Sequence, residues 1–212
     1  MKMISIVILA AGTSTRLGRP KQLLDLGGEP LLRHTLRNAL ASRAGEVVLV
    51  LGNQADTIAK SVGDLGQRTV TNPDFAAGQS TSLRVGIEAV SAEADAIIVM
   101  LGDQPMVTAA MVDQIIERFE MTSAPIVQPV YGETPGNPVL LARSLFPELL
   151  AIESDQGARG VIKTHREQIV RVRVADGPPP GDVDTEADYQ ALLDVWEARL
   201  GRRGPGTEVP GY

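Results

Sequence analysis

Apolar residues fall along this chain in short runs separated by amphipathic stretches. The runs predict strands at Ile4 to Leu9, Glu46 to Leu51, Arg68 to Thr71, Ala96 to Leu101, Ile126 to Pro129 and Ile169 to Val174. Between most of them the period changes from continuous to helical. Leu31, Leu32, Thr35, Leu36, Ala39 and Leu40 recur at i, i+3, i+4 spacing. Met111, Val112, Ile115, Ile116 and Phe119 do the same behind Thr108, a predicted N-cap. Strand alternating with helix predicts an α/β fold, a three-layer α/β/α sandwich with a mainly parallel sheet. The first run is β-branched and flanked by small residues, which suits a strand buried on both faces.

A chain of 212 residues can bury roughly 70 % of its unfolded surface, enough for one sheet covered on both sides. The expected organisation is a single domain over 1–200, followed by a flexible tail over 201–212 whose Gly, Pro and Arg show no apolar period. No cysteine is present, so disulfides, thiolate metal sites and a cysteine nucleophile are excluded. Lys2 followed by Ile4 to Ala11 has the outline of a leader, but the apolar stretch is short and Leu9 stands where cleavage needs a small residue. A first strand is the expected role. No run reaches the roughly 18 apolar residues of a membrane span, and the expected location is the cytoplasm.

In parallel sheets ligands bind beyond the carboxyl ends of the strands, so the loops after strands carry the candidate chemistry. Three stand out: Leu9 to Lys21, Asn72 to Ser82, and the turn Gly102-Asp103-Gln104-Pro105. The first is basic. The chain has a formal net charge of −6, yet its first 24 residues hold Lys2, Arg16, Arg19 and Lys21 and no acid. A cationic patch on an acidic protein suits a small anion better than a nucleic acid, and 3 % aromatic content offers few surfaces for stacking bases. Five residues separate Gly12 from Gly18, and Lys21 follows three later, so the loop is not a Walker P-loop. Thr13 and Ser14 after Gly12 break the dinucleotide fingerprint as well.

Asp103 follows an apolar strand and is presented at its end, where a hard carboxylate suits Mg²⁺ shared with phosphate oxygens. A second acidic cluster runs from Asp182 to Asp188, with Asp184-Thr185 at the predicted start of the last helix. There Asp184 is either a helix cap or a second metal ligand. A basic cradle with metal carboxylates and no strong nucleophile points to nucleotidyl transfer. In that reaction an incoming phosphate is already an anionic nucleophile, so catalysis is alignment and charge neutralisation. The two histidines, His34 and His165, are expected to be surface or packing residues.

The loop from Leu9 to Lys21 resembles the L-A-A-G-x-S-x-R-x-G-x-x-K signature of MobA-like nucleotidyltransferases, matching it at every fixed position. Further blocks resemble the molybdenum cofactor cytidylyltransferase branch in the same order. They are Gly78 to Leu83 with Gly86, Gly102 to Pro105, Gly136-Asn137-Pro138, Asp155 to Arg159, and Asp182 to Thr185. The resemblance implies a Rossmann-like nucleotide-diphospho-sugar transferase fold. It implies a nucleotide site of Leu9, Ala10, Ala11, Gly12, Arg16, Lys21, Gly78, Ser80, Ser82, Leu83 and Asp103, with Arg16, Lys21 and Asp103 catalytic. It further implies a Mg²⁺ cofactor on Asp103 and Asp184, and an acceptor site of Gly136, Asn137, Pro138, Asp155 and Arg159.

The implied reaction moves CMP from CTP to the phosphate of molybdopterin or its molybdenum-loaded form and releases pyrophosphate. A molybdenum hydroxylase or its chaperone would be the downstream partner. Guanylyl-transferring relatives carry glycine where Ala11 stands, and that extra methyl narrows the pocket toward a pyrimidine. Asn137 stands where many cytidylyltransferases of the branch have histidine, which bears on the acceptor. GTP with molybdopterin, a sugar or other small-molecule phosphate as acceptor, and a cofactor-binding chaperone role are the alternatives.

Overall fold

The computed structural model describes residues 2–153 and 157–201; Asp155 and the expected tail beyond 201 lie outside them. Strand β1 (Ile4–Leu9) occupies the middle of the sheet, and all six of its residues are buried. It explains the continuous apolar run: both faces are covered, so successive side chains have no solvent side to alternate with. Ile4, Ile6 and Ile8 enter one core cluster and Val7 and Leu9 the other.

Strands β2 (Asp25–Leu26) and β3 (Glu29–Pro30) form a separate small hairpin. The other strands are β4 (Glu46–Leu51), β5 (Arg68–Thr71), β6 (Ala96–Leu101), β7 (Ile126–Tyr131), β8 (Thr134–Pro135), β9 (Val139–Ala142) and β10 (Ile169–Ala175). The sheet order among the described residues is β10-β7-β9-β6-β1-β4-β5, with β8 paired to β7. β1 runs parallel to β4 and β6, in a register that places Val7 beside Val48 and Val99. The mixed α/β architecture with a mainly parallel sheet is the expected one.

One strand departs from the parallel pattern. β9 lies antiparallel between β6 and β7, and its four apolar residues after Gly136-Asn137-Pro138 are too few to distinguish a buried strand from the end of a loop. Charged residues guard the sheet edges, with Arg171 and Arg173 exposed on β10 and Arg68 on β5.

Helices α1 (Leu31–Leu40), α2 (Ala55–Val62) and α4 (Ala109–Thr122) bury their stripes in the cluster that holds Ile6 and Ile8. In α1 the buried set is Leu31, Leu32, Thr35, Leu36 and Ala39. Thr108 caps α4 by accepting from the Met111 N–H at 3.3 Å. Helices α3 (Gln79–Ala89), α5 (Phe146–Leu150) and α6 (Arg159–Thr164) cover the opposite face. Helix α7 (Glu186–Gly201) has no buried residue. It begins with reciprocal capping: Asp188 N–H donates to Thr185 Oγ1 at 3.2 Å, and Asp188 Oδ2 accepts from Thr185 N–H at 2.8 Å. Its Trp196 ring meets His34 edge-on at 4.6 Å. No described helix is long and apolar enough to cross a membrane.

Gly86 sets how closely α3 approaches the sheet. A Cβ there would lie 2.3 Å from Val7 Cγ1 and 3.3 Å from Val50 Cγ2. Gly86→Ala is therefore expected to cost about 1–3 kcal/mol through overpacking. Gly160→Ala, in α6 with nothing within 4 Å of the added methyl, is expected to be neutral or stabilising by up to ~1 kcal/mol. Urea unfolding of the two variants measures the contrast; equal midpoints would show that α3 has room to retreat.

Candidate active site

The chain leaves β1 through Ala10, whose N–H still donates to Val50 O at 2.9 Å, as though the strand continued. The loop then turns back. Ser14 has φ of 54° and accepts from the Lys21 N–H through Oγ at 3.1 Å, while the Leu17 and Gly18 N–H groups donate to Ser14 O. Buried Gln22 lies beneath: its Nε2 donates to Ala10 O at 2.8 Å and to Gly12 O at 3.3 Å. The loop is thus fastened at both ends, and Lys21 is directed over the carboxyl edge of the sheet.

Asp103 arrives from β6 by close approach. A Cβ on Gly102 would sit 2.8 Å from Ala10 Cβ and 3.2 Å from Leu9 O, so glycine lets the ends of β1 and β6 stay in contact. The Gly102 N–H donates to Leu9 O at 2.9 Å, and the buried Thr35 hydroxyl donates to Gly102 O at 3.2 Å. Lys21 Nζ then reaches Asp103 Oδ2 at 2.6 Å and Asp184 Oδ1 at 3.0 Å. Arg16 contacts the other oxygen of Asp184 at 2.6 Å from a side chain 67 % exposed.

Charge in this cluster is balanced by contact. Burial works against the Lys21 ammonium, yet the field and hydrogen bond of Asp103, with those of Asp184, outweigh it and raise its pKa above 10.5. Asp184 is held below the ordinary aspartate value, first by the Lys21 hydrogen bond and then by the charges of Lys21 and Arg16. Asp182 shifts the other way, because burial and the Asp103 charge disfavour its ionised form. Gln104 steadies it, donating from Nε2 to Asp182 Oδ1 at 2.8 Å.

These groups border a cleft of about 350 Å³. Leu9, Ala10, Ala11, Gly12, Lys21 and Asp103 line it, and Gly78, Ser82 and Asp184 face them. Arg159, expected on the acceptor side, lines the same cleft from the start of α6. Other expected residues lie elsewhere. Ser80 and Leu83 are buried on α3, Leu83 within the core beneath it, and Arg16 stands outside, beyond Asp184. Gly136 packs between Tyr131 and Pro179, and the Tyr131 hydroxyl donates to Asn137 O at 2.6 Å. Gly136, Asn137 and Pro138 line neither this cleft nor its neighbour.

Gln22 also lines the cleft without having been singled out, and Phe75, Gln79 and Asp182, which fall within the candidate loop and motif blocks but were assigned no role, line it too. Gln22 had a signal, a polar residue interrupting Lys21 to Leu24 just before two leucines. Gln79 and Phe75 belonged to the Asn72 to Ser82 segment, but nothing in residue type showed that their side chains border the cleft. A larger and more apolar cavity of about 610 Å³ adjoins the first, sharing Asp182 and walled by Met106, Tyr131, Pro179, Leu192 and Val195. Burial pushes the Tyr131 hydroxyl up to about 12, so it serves there as a hydrogen-bond donor.

Known proteins resemble this chain in sequence and in fold. The crystal structure of the Rv0371c homologue from Mycobacterium sp. strain JC1 superposes with a TM-score of 0.84 at 36 % identity, covering 93 % of this chain and 98 % of that one. Rv0371c of Mycobacterium tuberculosis H37Rv, solved in complex with manganese, gives 0.80 at 33 % identity over 91 % of this chain and 99 % of that one. The molybdenum cofactor cytidylyltransferase of Escherichia coli K12 is 27 % identical over 68 % of this chain and 72 % of its own. The nicotine blue oxidoreductase of Paenarthrobacter nicotinovorans is 29 % identical over 88 % and 95 %. Bifunctional GlmU of Leifsonia xyli is 32 % identical over 53 % of this chain, which spans only 24 % of that longer protein. A family model, the MobA-like NTP transferase domain, matches residues 6–169. With that match over most of its length, the chain belongs to the MobA-like NTP transferase family, a family of nucleotidyltransferases.

Proposed function

We propose that this protein transfers CMP from CTP to the terminal phosphate of a molybdopterin-type acceptor, releasing pyrophosphate. The observation that carries this reading is the Lys21 ammonium bonded to both Asp103 and Asp184 where the glycine-bounded loop meets the sheet edge. Hydride transfer has no use for that constellation, whereas nucleotidyl transfer uses every part of it. An acceptor phosphate oxygen would attack the α-phosphorus of CTP, and the bond to the bridging oxygen of pyrophosphate would break. The acceptor is ionised already, so no residue needs to remove a proton.

Lys21 and the loop amides would neutralise charge on the departing β- and γ-phosphates, with Arg16 reaching in from outside. Among the described residues no group of three acids or histidines could hold a metal alone. Asp103 and Asp184 nonetheless fit an ion that takes one or two carboxylates and completes its shell with phosphate oxygens and water, as Mg²⁺ does. Bound there, it would supply Lewis-acid charge neutralisation at the transferred phosphate. The manganese complex of Rv0371c supports a divalent ion, and the Escherichia coli relative supports the nucleotide and the acceptor. For the base, Ala11 and Ser82 both line the cleft. The Ala11 methyl, where guanylyl-transferring relatives carry glycine, favours a pyrimidine, and the Ser82 hydroxyl, which accepts from Asn72 Nδ2 at 2.9 Å, can still donate to a base edge.

Pyrophosphate release from each of the four common NTPs, with and without molybdopterin, tests the assignment. Turnover with CTP and only in the presence of the pterin is expected; turnover with a sugar phosphate instead would redirect it. Asp103→Asn is expected to lower the rate roughly 10²- to 10⁴-fold, and near-normal Mg²⁺-dependent turnover by that variant would remove Asp103 from the chemistry.

Lys21→Met is expected to fold and to lose turnover, with a pH signature in its stability. The depressed Asp184 pKa contributes stability above 3.8 that is lost as pH falls through the folded value. The raised Lys21 pKa contributes stability below 10.5 that is lost as pH rises through the folded value. In chelator, the gap in urea midpoint between wild type and Lys21→Met should be widest between those limits and narrow outside them. A gap constant with pH would show that Lys21 matters for its packing alone.

A further inference from the structure

Gln22 is almost completely buried, at 2 % exposure, and lines the cleft directly behind Lys21. Its amide is used one-sidedly. Nε2 donates to two carbonyls of the cradle, Ala10 O and Gly12 O, while Oε1 is buried without a partner. The opposite assignment would set Oε1 against two carbonyl oxygens, so the acceptors fix which end of the amide faces the loop. A buried amide that leaves its oxygen unpaired is poorly suited to stabilising the fold. What it does is hold alternate peptide groups of the loop in one orientation.

The consequence follows from peptide planarity. The Ala10–Ala11 and Gly12–Thr13 bonds are trans, and in a trans peptide the C=O of one residue and the N–H of the next point in opposite directions. Drawing the carbonyls of Ala10 and Gly12 toward Gln22 turns the N–H groups of Ala11 and Thr13 away from it. The intervening carbonyl, Ala11 O, is taken by the Asn53 N–H at 3.4 Å. Among the described residues no protein acceptor meets the N–H groups of Ala11, Gly12 or Thr13, and all three residues line the cleft. N–H groups left without an acceptor beside a cleft are available to an anion bound in it.

We propose that Gln22 is a positioning residue for the triphosphate. By holding back the carbonyls of Ala10 and Gly12, it aims the N–H groups of Ala11 and Thr13 at the phosphate oxygens. It touches no reacting atom and acts through the loop. The inference rests on the nucleotidyl-transfer reading, but the ligand class it requires is only a polyphosphate, whatever the base or acceptor.

Magnesium tripolyphosphate, which has neither base nor sugar, is the probe. In ¹⁵N-labelled full-length wild type it is expected to move the amide protons of Ala11 and Thr13 downfield. Gln22→Met, which keeps length and removes the donor, should weaken tripolyphosphate binding about tenfold or more. In turnover it should raise KM for the nucleotide by a similar factor, with KM for the acceptor unchanged. A purely structural Gln22 would lower the urea midpoint and leave tripolyphosphate affinity at the wild-type value, which would overturn the proposal. Should Gln22→Met fail to fold, the wild-type spectrum still decides: binding without movement of the Ala11 and Thr13 amides would overturn it. Wild type that binds no tripolyphosphate at all would overturn the nucleotidyl-transfer reading beneath it.

Discussion

Everything at the candidate site depends on one ammonium group shared by two carboxylates. Lys21 Nζ is the point at which three remote stretches of chain converge, the loop after β1, the turn after β6 and the segment leading into α7. The contact is half-sheltered, with the Lys21 side chain 18 % and that of Asp103 8 % exposed. It therefore escapes much of the screening that makes surface pairs worth little. Both partners of Lys21 are hard oxygen donors and Lys21 itself is a compact cation that suits phosphate, so the charges that hold the cluster together are also those a metal–triphosphate would engage.

Around this contact the scaffold supplies stiffness. The ends of β1 and β6 touch through Ala10 and Gly102, Thr35 ties α1 to the same turn, and Gln22 braces the loop from beneath. Each of these is buried. Asp103 and Lys21 accordingly rest on closely packed, hydrogen-bonded backbone, which fixes their positions tightly.

Much of this was readable in the residues. The six runs begin where strands begin, because the inner strands β1, β4, β6 and β7 are mostly buried and announce themselves by composition. The edge strands β5 and β10 keep enough β-branched residues to be read despite their exposed arginines. The α1 and α4 stripes emerged because each helix has one buried side. The loop, Asp103 and Asp184 were found through residue type and spacing. What escaped was decided by three-dimensional context. β9 is four residues long and takes its direction from its neighbours. Leu83 and Ser80 belong to the right segment but point to the core, since a motif names positions and not faces. The acceptor block around Asn137 packs beside Tyr131 rather than into the cleft, whereas Arg159 reaches the cleft from α6.

Helix α7 adds a different kind of consequence. It buries none of its residues; Tyr189 and Leu192 are partly buried against the cluster of Leu24, Leu31 and Val183. Trp196 packs against Gly27 and His34, Tyr189 is bonded to Asp25 O, and Glu186 pairs with Arg19. Asp182 and Asp184 hang from its leading end. The fold thus divides Asp103 and Asp184 between the end of a central strand and the approach to a surface helix. Local opening costs least where little apolar surface is buried, so the α7 side of the cleft would open before the β1 and β6 side. Such an opening would part Asp184 from Lys21 and leave Asp103 in place, widening the cleft without disturbing the core.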